Sequence, residues 1–247
     1  MTTRRVLVTG GASGIGAAVA KRFQDVGDDV LVFDRDAPAW DVACVRGDVT
    51  DPADHRRAIS QAAPAGRLDV LVANAGVHDG GLRLGGDLPL EELAARVRYV
   101  TDVNVLGYVL ALHAAAPALA TAGGCAVLTL SDASFDVRGN GAGAAYVASK
   151  HAGAGLVKAA ARDLAPVRVN GVAPGGVATD LSVHEPGGRQ RRVVTDADEL
   201  ARAIAGRTLL SRGARLDELA DAYYYLASKS AGAITGQILR IDGGLLC

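Results

Sequence analysis

Short runs of β-branched and aliphatic residues alternate with longer Ala-rich segments along the chain. The runs are Val6–Val8, Val30–Phe33, Cys44–Arg46, Val70–Ala73, Ala126–Leu130, Val167–Val172 and Ile238–Ile241. They are apolar at successive positions, not alternate ones, which is the pattern of strands covered on both faces in a parallel sheet. The segments between them predict helices over about Gly16–Val26, Pro52–Ala63, Leu90–Gly123, Ala144–Ala165 and Leu216–Ala227. Strand alternating with helix predicts βαβ units and an α/β, doubly wound parallel sheet of about seven strands. With no internal repeat and no second core, residues 1–247 form a single domain.

Two places break the rhythm. Phe33 to Val45 leaves room for a turn but hardly for a helix, and Pro38 interrupts it. Val177 to Leu210 is polar and basic and contains Pro186-Gly187-Gly188. An insertion of that length in an α/β domain reads as a binding loop or substrate lid, over about 178–210.

Composition adds mainly exclusions. With 49% hydrophobic and 21% charged residues, 247 residues can bury a full core and stay soluble. A formal charge of -1 calls for neither nucleic acid nor an anionic membrane as partner. Cys44, Cys125 and Cys247 have no CxxC spacing, and no secretory leader pattern precedes Val6. Both features lead us to expect a cytoplasmic protein with reduced thiols. The five histidines form no HExxH pattern, so no metal is expected. Val105 to Gly124 is apolar enough to raise the membrane question. However, it contains His113 and Pro117 and follows Asp102 and Asn104, so a buried or interface helix is expected.

The first strand runs into Thr9-Gly10-Gly11-Ala12-Ser13-Gly14-Ile15-Gly16. Between a buried strand and a helix, this reads as a phosphate loop. Absent side chains let the backbone approach a pyrophosphate, and the next helix offers its N-terminal N–H groups. Gly10, Ser13, Gly14, Ile15 and Gly16 are the candidate contacts. Asp34 ends the second strand about 20 residues on, where an acid accepts hydrogen bonds from a ribose and repels a 2′-phosphate. That favours NAD over NADP, although an Arg such as the adjacent Arg35 can accommodate the phosphate. Asp48-Val49 after the third strand is expected at the adenine edge, and Asn74-Ala75-Gly76 after the fourth at the floor of the cleft.

Tyr146-Val147-Ala148-Ser149-Lys150 puts Tyr and Lys on one helix face. Tyrosine is a poor base at its ordinary pKa, and a neighbouring ammonium is expected to lower that value. Ser131 ends the preceding strand, where active-site residues of open α/β sheets gather. Ser134 competes with it, lying nearer Tyr146 in sequence.

Thr9–Gly16, Asn74-Ala75-Gly76, Asn104, Ser131, Tyr146/Lys150 and Pro174-Gly175 resemble, in order and over nearly the whole chain, the short-chain dehydrogenase/reductase family. The resemblance implies a Rossmann-like fold, usually as a homotetramer or homodimer. It makes Tyr146 the general acid/base, Lys150 the ligand of the nicotinamide ribose, Ser131 the substrate-orienting hydroxyl and Asn104 the anchor of a proton-relay water. Pro174, Gly175 and Val177 would be cofactor-binding, and Thr179 would hold the carboxamide. The chain departs from the family pattern in a longer Asp136–Gly143 loop, which places Ser131 farther from Tyr146.

Finer likenesses suggest a substrate. Val167–Gly176 with Thr179-Asp180-Leu181 resembles bacterial cis-dihydrodiol dehydrogenases of the biphenyl type. Ser131-Asp132-Ala133 and the short Phe33–Val45 connection resemble 2,3-dihydro-2,3-dihydroxybenzoate dehydrogenase. Both imply NAD-dependent oxidation of a cyclic diol to a catechol. Asp132 reads either as a contact to a substrate hydroxyl or as a residue at a loop mouth. Arg189, Arg191 and Arg192 read as a solvated basic face or as a carboxylate site. Two alternatives use the same residues: a biosynthetic carbonyl or ketoacyl reductase, and a non-catalytic NAD sensor.

Overall fold

The computed structural model describes residues 3–137, 141–177, 182–184, 190–192 and 197–245, with backbone alone for part of the segment after 177. In chain order the strands are β1 (Arg5–Thr9), β2 (Asp29–Asp34), β3 (Ala43–Arg46), β4 (Val70–Ala73), β5 (Cys125–Thr129), β6 (Arg168–Pro174), β7 (Ser182–His184), β8 (Gln190–Arg192) and β9 (Ile238–Ile241). The helices are α1 (Gly14–Asp25), α2 (Pro52–Ala62), α3 (Leu90–Thr101), α4 (Gly107–Ala122), α5 (Ala144–Asp163), α6 (Ala197–Ala205) and α7 (Leu216–Leu226). Seven strands form one parallel sheet in the order β3-β2-β1-β4-β5-β6-β9.

The continuous apolar runs follow from two-sided burial. Successive side chains of a strand point to opposite faces. Val6 and Val8 of β1 enter one core with Val30 and Val32 of β2, and with Val19 and Phe23 of α1 and Leu219 and Tyr223 of α7. Leu7 enters the other core with Leu71, Leu128, Tyr108 and Leu119. One face is therefore covered by α1 and α7 and the other by α2, α4 and α5.

Strand order reverses at β1, which lies between β2 and β4. The connection from β1 leaves through α1 on one face, and that from β4 leaves through α3 and α4 on the other. The crevice at their carboxyl ends is where open α/β sheets bind ligands.

The expected long helix Leu90–Gly123 is interrupted. A π-helical turn over Asp102–Leu106 separates α3 from α4. The stretch Leu90–Ala122 is long and apolar enough to cross a membrane. Here its Val100, Val103, Tyr108, Leu112 and Leu119 are buried in the domain core instead. β6 runs two residues past the expected Val172, because Ala173 and Pro174 pair with Arg240 and Ile241 of β9. Among the described residues, 35–42 hold no helix, as expected of the short connection. The polar insertion holds an antiparallel pair, β7 with β8, and then α6, elements the sequence pattern did not predict. Arg191 and Arg192 lie on β8. Thr179, Asp180, Leu181, Pro186, Gly187, Gly188 and Arg189 lie outside the described residues.

Candidate active site

The glycine loop is packed too tightly for side chains. Gly10 has φ +64°, and a Cβ there would sit 2.6 Å from Ala75 Cα. A Cβ on Gly16 would sit 2.0 Å from the Gly10 carbonyl oxygen. Ser13 precedes α1 in extended conformation without capping it by its side chain, and the first turn holds no acid. Gly14, Ile15 and Gly16 thus open a helix whose N-terminal N–H groups keep their affinity for an anion.

Asn74 fixes the loop from the other side of β1. Its Nδ2 donates to the Gly10 carbonyl (2.9 Å), and its Oδ1 accepts from Thr129 Oγ1 (2.9 Å). Thr9 Oγ1 accepts from the Asn74 and Ala75 amides. The Thr129 proton is committed to Asn74, so Tyr223 of α7 donates to Thr129 Oγ1 at 2.7 Å. The three strand ends β1, β4 and β5 are tied into one floor.

Asp34 stands at the end of β2. Its Oδ2 accepts from the Ala12 amide of the loop (2.9 Å) and its Oδ1 from the Asp36 amide (3.1 Å). Arg35 is exposed, and its guanidinium donates to Tyr99 Oη of α3 at 3.4 Å. Asp48 folds into its own turn, accepting from the Thr50 amide and hydroxyl. Val49 is buried against Gly107. Pro174 ends β6, Gly175 donates to the Ile241 carbonyl, and Val177 packs at the edge of the α1/α7 core.

Tyr146 and Lys150 lie on the first turns of α5. Lys150 is buried, and its Nζ donates to the Thr129 carbonyl (2.9 Å) and Tyr108 Oη (3.3 Å). Burial depresses this ammonium to about 7. Tyr146 is pushed up to about 12 by burial; a hydrogen bond with Ser131 pulls it down, and Asp132 and Asp79 add to the rise. This corrects the expectation of a tyrosine already lowered by its lysine. Lys150 Nζ is 5.6 Å from the Tyr146 ring centroid and is turned to Thr129, so desolvation outweighs attraction in the protein alone.

The two candidate serines are in different settings. Ser131 follows β5 and meets the Tyr146 phenol; its Oγ donates to Asp132 Oδ1 at 2.7 Å. Ser134 Oγ donates to the Lys150 carbonyl at 2.9 Å, a bond that anchors the turn to α5. Burial raises the Asp132 carboxyl, offset in part by Ser131 and the Ala133 amide. Ser131→Ala is expected to lower kcat by about 10²-fold, the scale of a lost donor to a reacting oxygen. Ser134→Ala should cost about 1 kcal/mol of stability with little change in kcat. Steady-state rates and thermal melts of the two variants check this contrast.

Asn104 sits in the π turn, a feature frequent at functional sites. Its Oδ1 accepts from the Val77 amide (2.8 Å), and its Nδ2 donates to the Val77 carbonyl (2.9 Å) and Ser149 Oγ (3.0 Å). The side chain is therefore engaged in holding α4, α5 and the loop after β4 together. Ser149, Thr129, Tyr108, Tyr223, His78 and Asp79 were missed as site residues. Ser149 lies inside the Tyr146–Lys150 motif without having been assigned a role; the others belong to no short motif and meet only in the fold. The other available signal was that His78 and Asp79 follow closely on Asn74-Ala75-Gly76, one residue beyond it.

This geometry has known counterparts. A family model described as "Enoyl-(Acyl carrier protein) reductase" matches residues 10–246. The chain belongs to the short-chain dehydrogenase/reductase family. The 1,2-dihydroxy-1,2-dihydronaphthalene dehydrogenase of Ralstonia sp. is 37% identical, the match covering 97% of this chain and 96% of that one. The cis-2,3-dihydrobiphenyl-2,3-diol dehydrogenase of Pseudomonas putida is 39% identical, over 99% and 91%. Among solved structures, the aldohexose dehydrogenase of Thermoplasma acidophilum has a TM-score of 0.84 at 30% identity, covering 98% of this chain and 94% of that one. Short-chain dehydrogenases of this kind use NAD(P), and the side-chain-free loop, the uncapped α1 and the strand-end acid fit such a dinucleotide.

Proposed function

We propose that this short-chain dehydrogenase uses NAD to oxidise a cyclic cis-dihydrodiol to a catechol. The observation that carries the reading is the meeting of the Ser131 hydroxyl and the Tyr146 phenol at the end of β5, with Lys150 buried behind them. The named dihydrodiol dehydrogenases among the relatives support the substrate class.

Ser131 orients the reacting hydroxyl, and ionised Tyr146 takes its proton. A bound nicotinamide supplies the acceptor for the hydride that leaves the carbinol carbon. The resulting ring ketone tautomerises to a catechol, and aromatisation draws the reaction forward. Lys150 binds the ribose and favours the Tyr146 phenolate. Asn104, held by Val77 and Ser149, anchors the proton-relay water that the family resemblance implies. By the family resemblance, Thr179 would hold the carboxamide.

NAD is favoured because the Asp34 carboxylate is fixed beside the loop and Arg35 is engaged by Tyr99. Asp34→Ser is expected to raise the ratio of kcat/KM with NADP to that with NAD by roughly 10-fold or more, since a unit repulsion at close range is removed. The chain works in the cytoplasm as a homodimer or homotetramer. The exposed Leu106 and Val109 of the π turn and α4 are apolar positions that a partner subunit would cover.

The test is a panel of cis-dihydrodiols with NAD and NADP, followed by reduced-nucleotide absorbance and catechol formation. Turnover of diols with NAD is expected. Reduction of ketones or acyl thioesters without diol oxidation would replace this reading with a carbonyl reductase.

A further inference from the structure

The segment His78–Leu82 grips the first turn of α5. Asp79 Oδ1 accepts from the Gly81 amide (3.0 Å) and the Gly143 amide (2.9 Å), and Oδ2 accepts from the Tyr146 amide (3.0 Å). The Leu82 carbonyl takes the Ala144 amide at 2.9 Å. The Asp79 side chain is fully buried. Gly143 has no room for a side chain, because a Cβ there would sit 2.1 Å from the Leu82 nitrogen and 2.5 Å from Asp79 Oδ2. The His78 ring packs on the Tyr146 ring with centroids 4.6 Å apart.

This contact joins two parts of the site that are 67 residues apart in the chain. Asp79 follows Asn74-Ala75-Gly76, which form the floor of the cofactor cleft. Tyr146 stands on the turn that Asp79 holds. A carboxylate at a helix N-terminus is also favoured by the helix dipole. We propose that Asp79 is a positioning residue, whose carboxylate clamps the loop after β4 to the first turn of α5 and so fixes the Tyr146 phenol relative to the cofactor cleft. The inference rests on the reading of Tyr146 as the reacting acid/base.

The clamp carries a charge that a neutral one would not. Groups facing Tyr146 are Asp79 and His78 from the loop after β4, Ser131 and Asp132 after β5, Tyr108 on α4, and Lys150 on α5. The Gly80 amide donates to His78 Nδ1 at 3.0 Å, and the same nitrogen lies 3.9 Å from Asp79 Oδ1. Asp79 and Asp132 both oppose ionisation of the phenol.

The experiment compares the wild-type enzyme with Asp79→Asn, with Tyr146→Phe as the spectroscopic blank. Tyr146 is titrated by ultraviolet difference absorbance without substrate or nucleotide, and kcat and KM are then measured with NAD and a cis-dihydrodiol. In Asp79→Asn the phenol is expected to titrate about half a unit or more lower, because a buried like charge is gone. Its kcat should fall by about 10- to 10²-fold from the displaced phenol, with KM for NAD changed by less than about twofold. If Asp79→Asn does not fold, Asp79→Ser keeps a neutral capping acceptor in less space and should shift the phenol the same way. A wild-type kcat, or a loss of kcat with the phenol titration unmoved, would overturn the proposal. A wild-type enzyme that turns over no alcohol while the phenol still shifts would refute the dehydrogenase reading and leave the Asp79–Tyr146 clamp standing.

Discussion

Tyr146→Phe is expected to lower kcat for diol oxidation by about 10²- to 10⁴-fold, the contribution of a positioned base. The substitution removes one hydroxyl and keeps the partly buried ring, which packs on His78. The melting temperature should therefore fall only by the equivalent of about 1 kcal/mol, for the lost bond with Ser131. Affinity for NAD should stay within about twofold. The pH profile gives a second check. Burial raises the phenol to about 12, so its ionised form is scarce at neutral pH and oxidation should speed up as pH rises. That rise should vanish in the Phe variant. A variant retaining half of the wild-type rate would exclude Tyr146 as the base.

Lys150→Met is expected to abolish most activity and yet to stabilise the nucleotide-free protein at neutral and acidic pH. The folded-state ammonium is depressed from 10.5 to about 7 by burial. Between those values the unfolded chain holds a proton that the folded protein does not. Stability due to this group therefore rises with pH across that window and is flat below it. Each unit of depression corresponds to ~1.4 kcal/mol. The advantage of the Met variant should be largest near pH 6 and shrink by several kcal/mol toward pH 10. Loss of the ammonium orphans little, because Tyr108 Oη donates to the same Thr129 carbonyl at 2.5 Å. Thermal melts of both proteins over this range check the trend. A difference that does not depend on pH would mean that Lys150 is not depressed. Such a residue is retained for its positive charge at the site, at a cost to stability.

These results bear on how Tyr146 works. In the protein alone the pair is nearly silent: the lysine is poised to lose its charge and the phenol is held neutral. The Lys150 ammonium has its acceptors in the Thr129 carbonyl and Tyr108, behind the phenol. A ribose that draws Lys150 toward the cleft would keep it charged and bring that charge to bear on Tyr146. The expected lowering of Tyr146 thus depends on the holoenzyme.

The sequence by itself determined a parallel, doubly wound sheet and placed a glycine loop between its first strand and first helix. Buried strands must be apolar at every position, and a loop that touches backbone at Gly10 and Gly16 must lack side chains, so both constraints are written locally. It also brought Tyr146 and Lys150 onto one helix face, because a four-residue spacing on a helix is geometry that the chain carries in itself. Only the tertiary structure decided what surrounds them. The setting of Ser131 and of Ser134 depends on which hydroxyl the β5 turn aims at Tyr146 and which at the Lys150 carbonyl. The engagement of Asn104 depends on a π turn that a hydrophobic pattern does not reveal. The grip of Asp79 on the Tyr146 amide spans 67 residues. Hydrogen bonds of that kind, made by buried polar groups across distant elements, leave no periodic mark on a sequence, and burial is the largest influence on the ionisation of Tyr146 and Lys150.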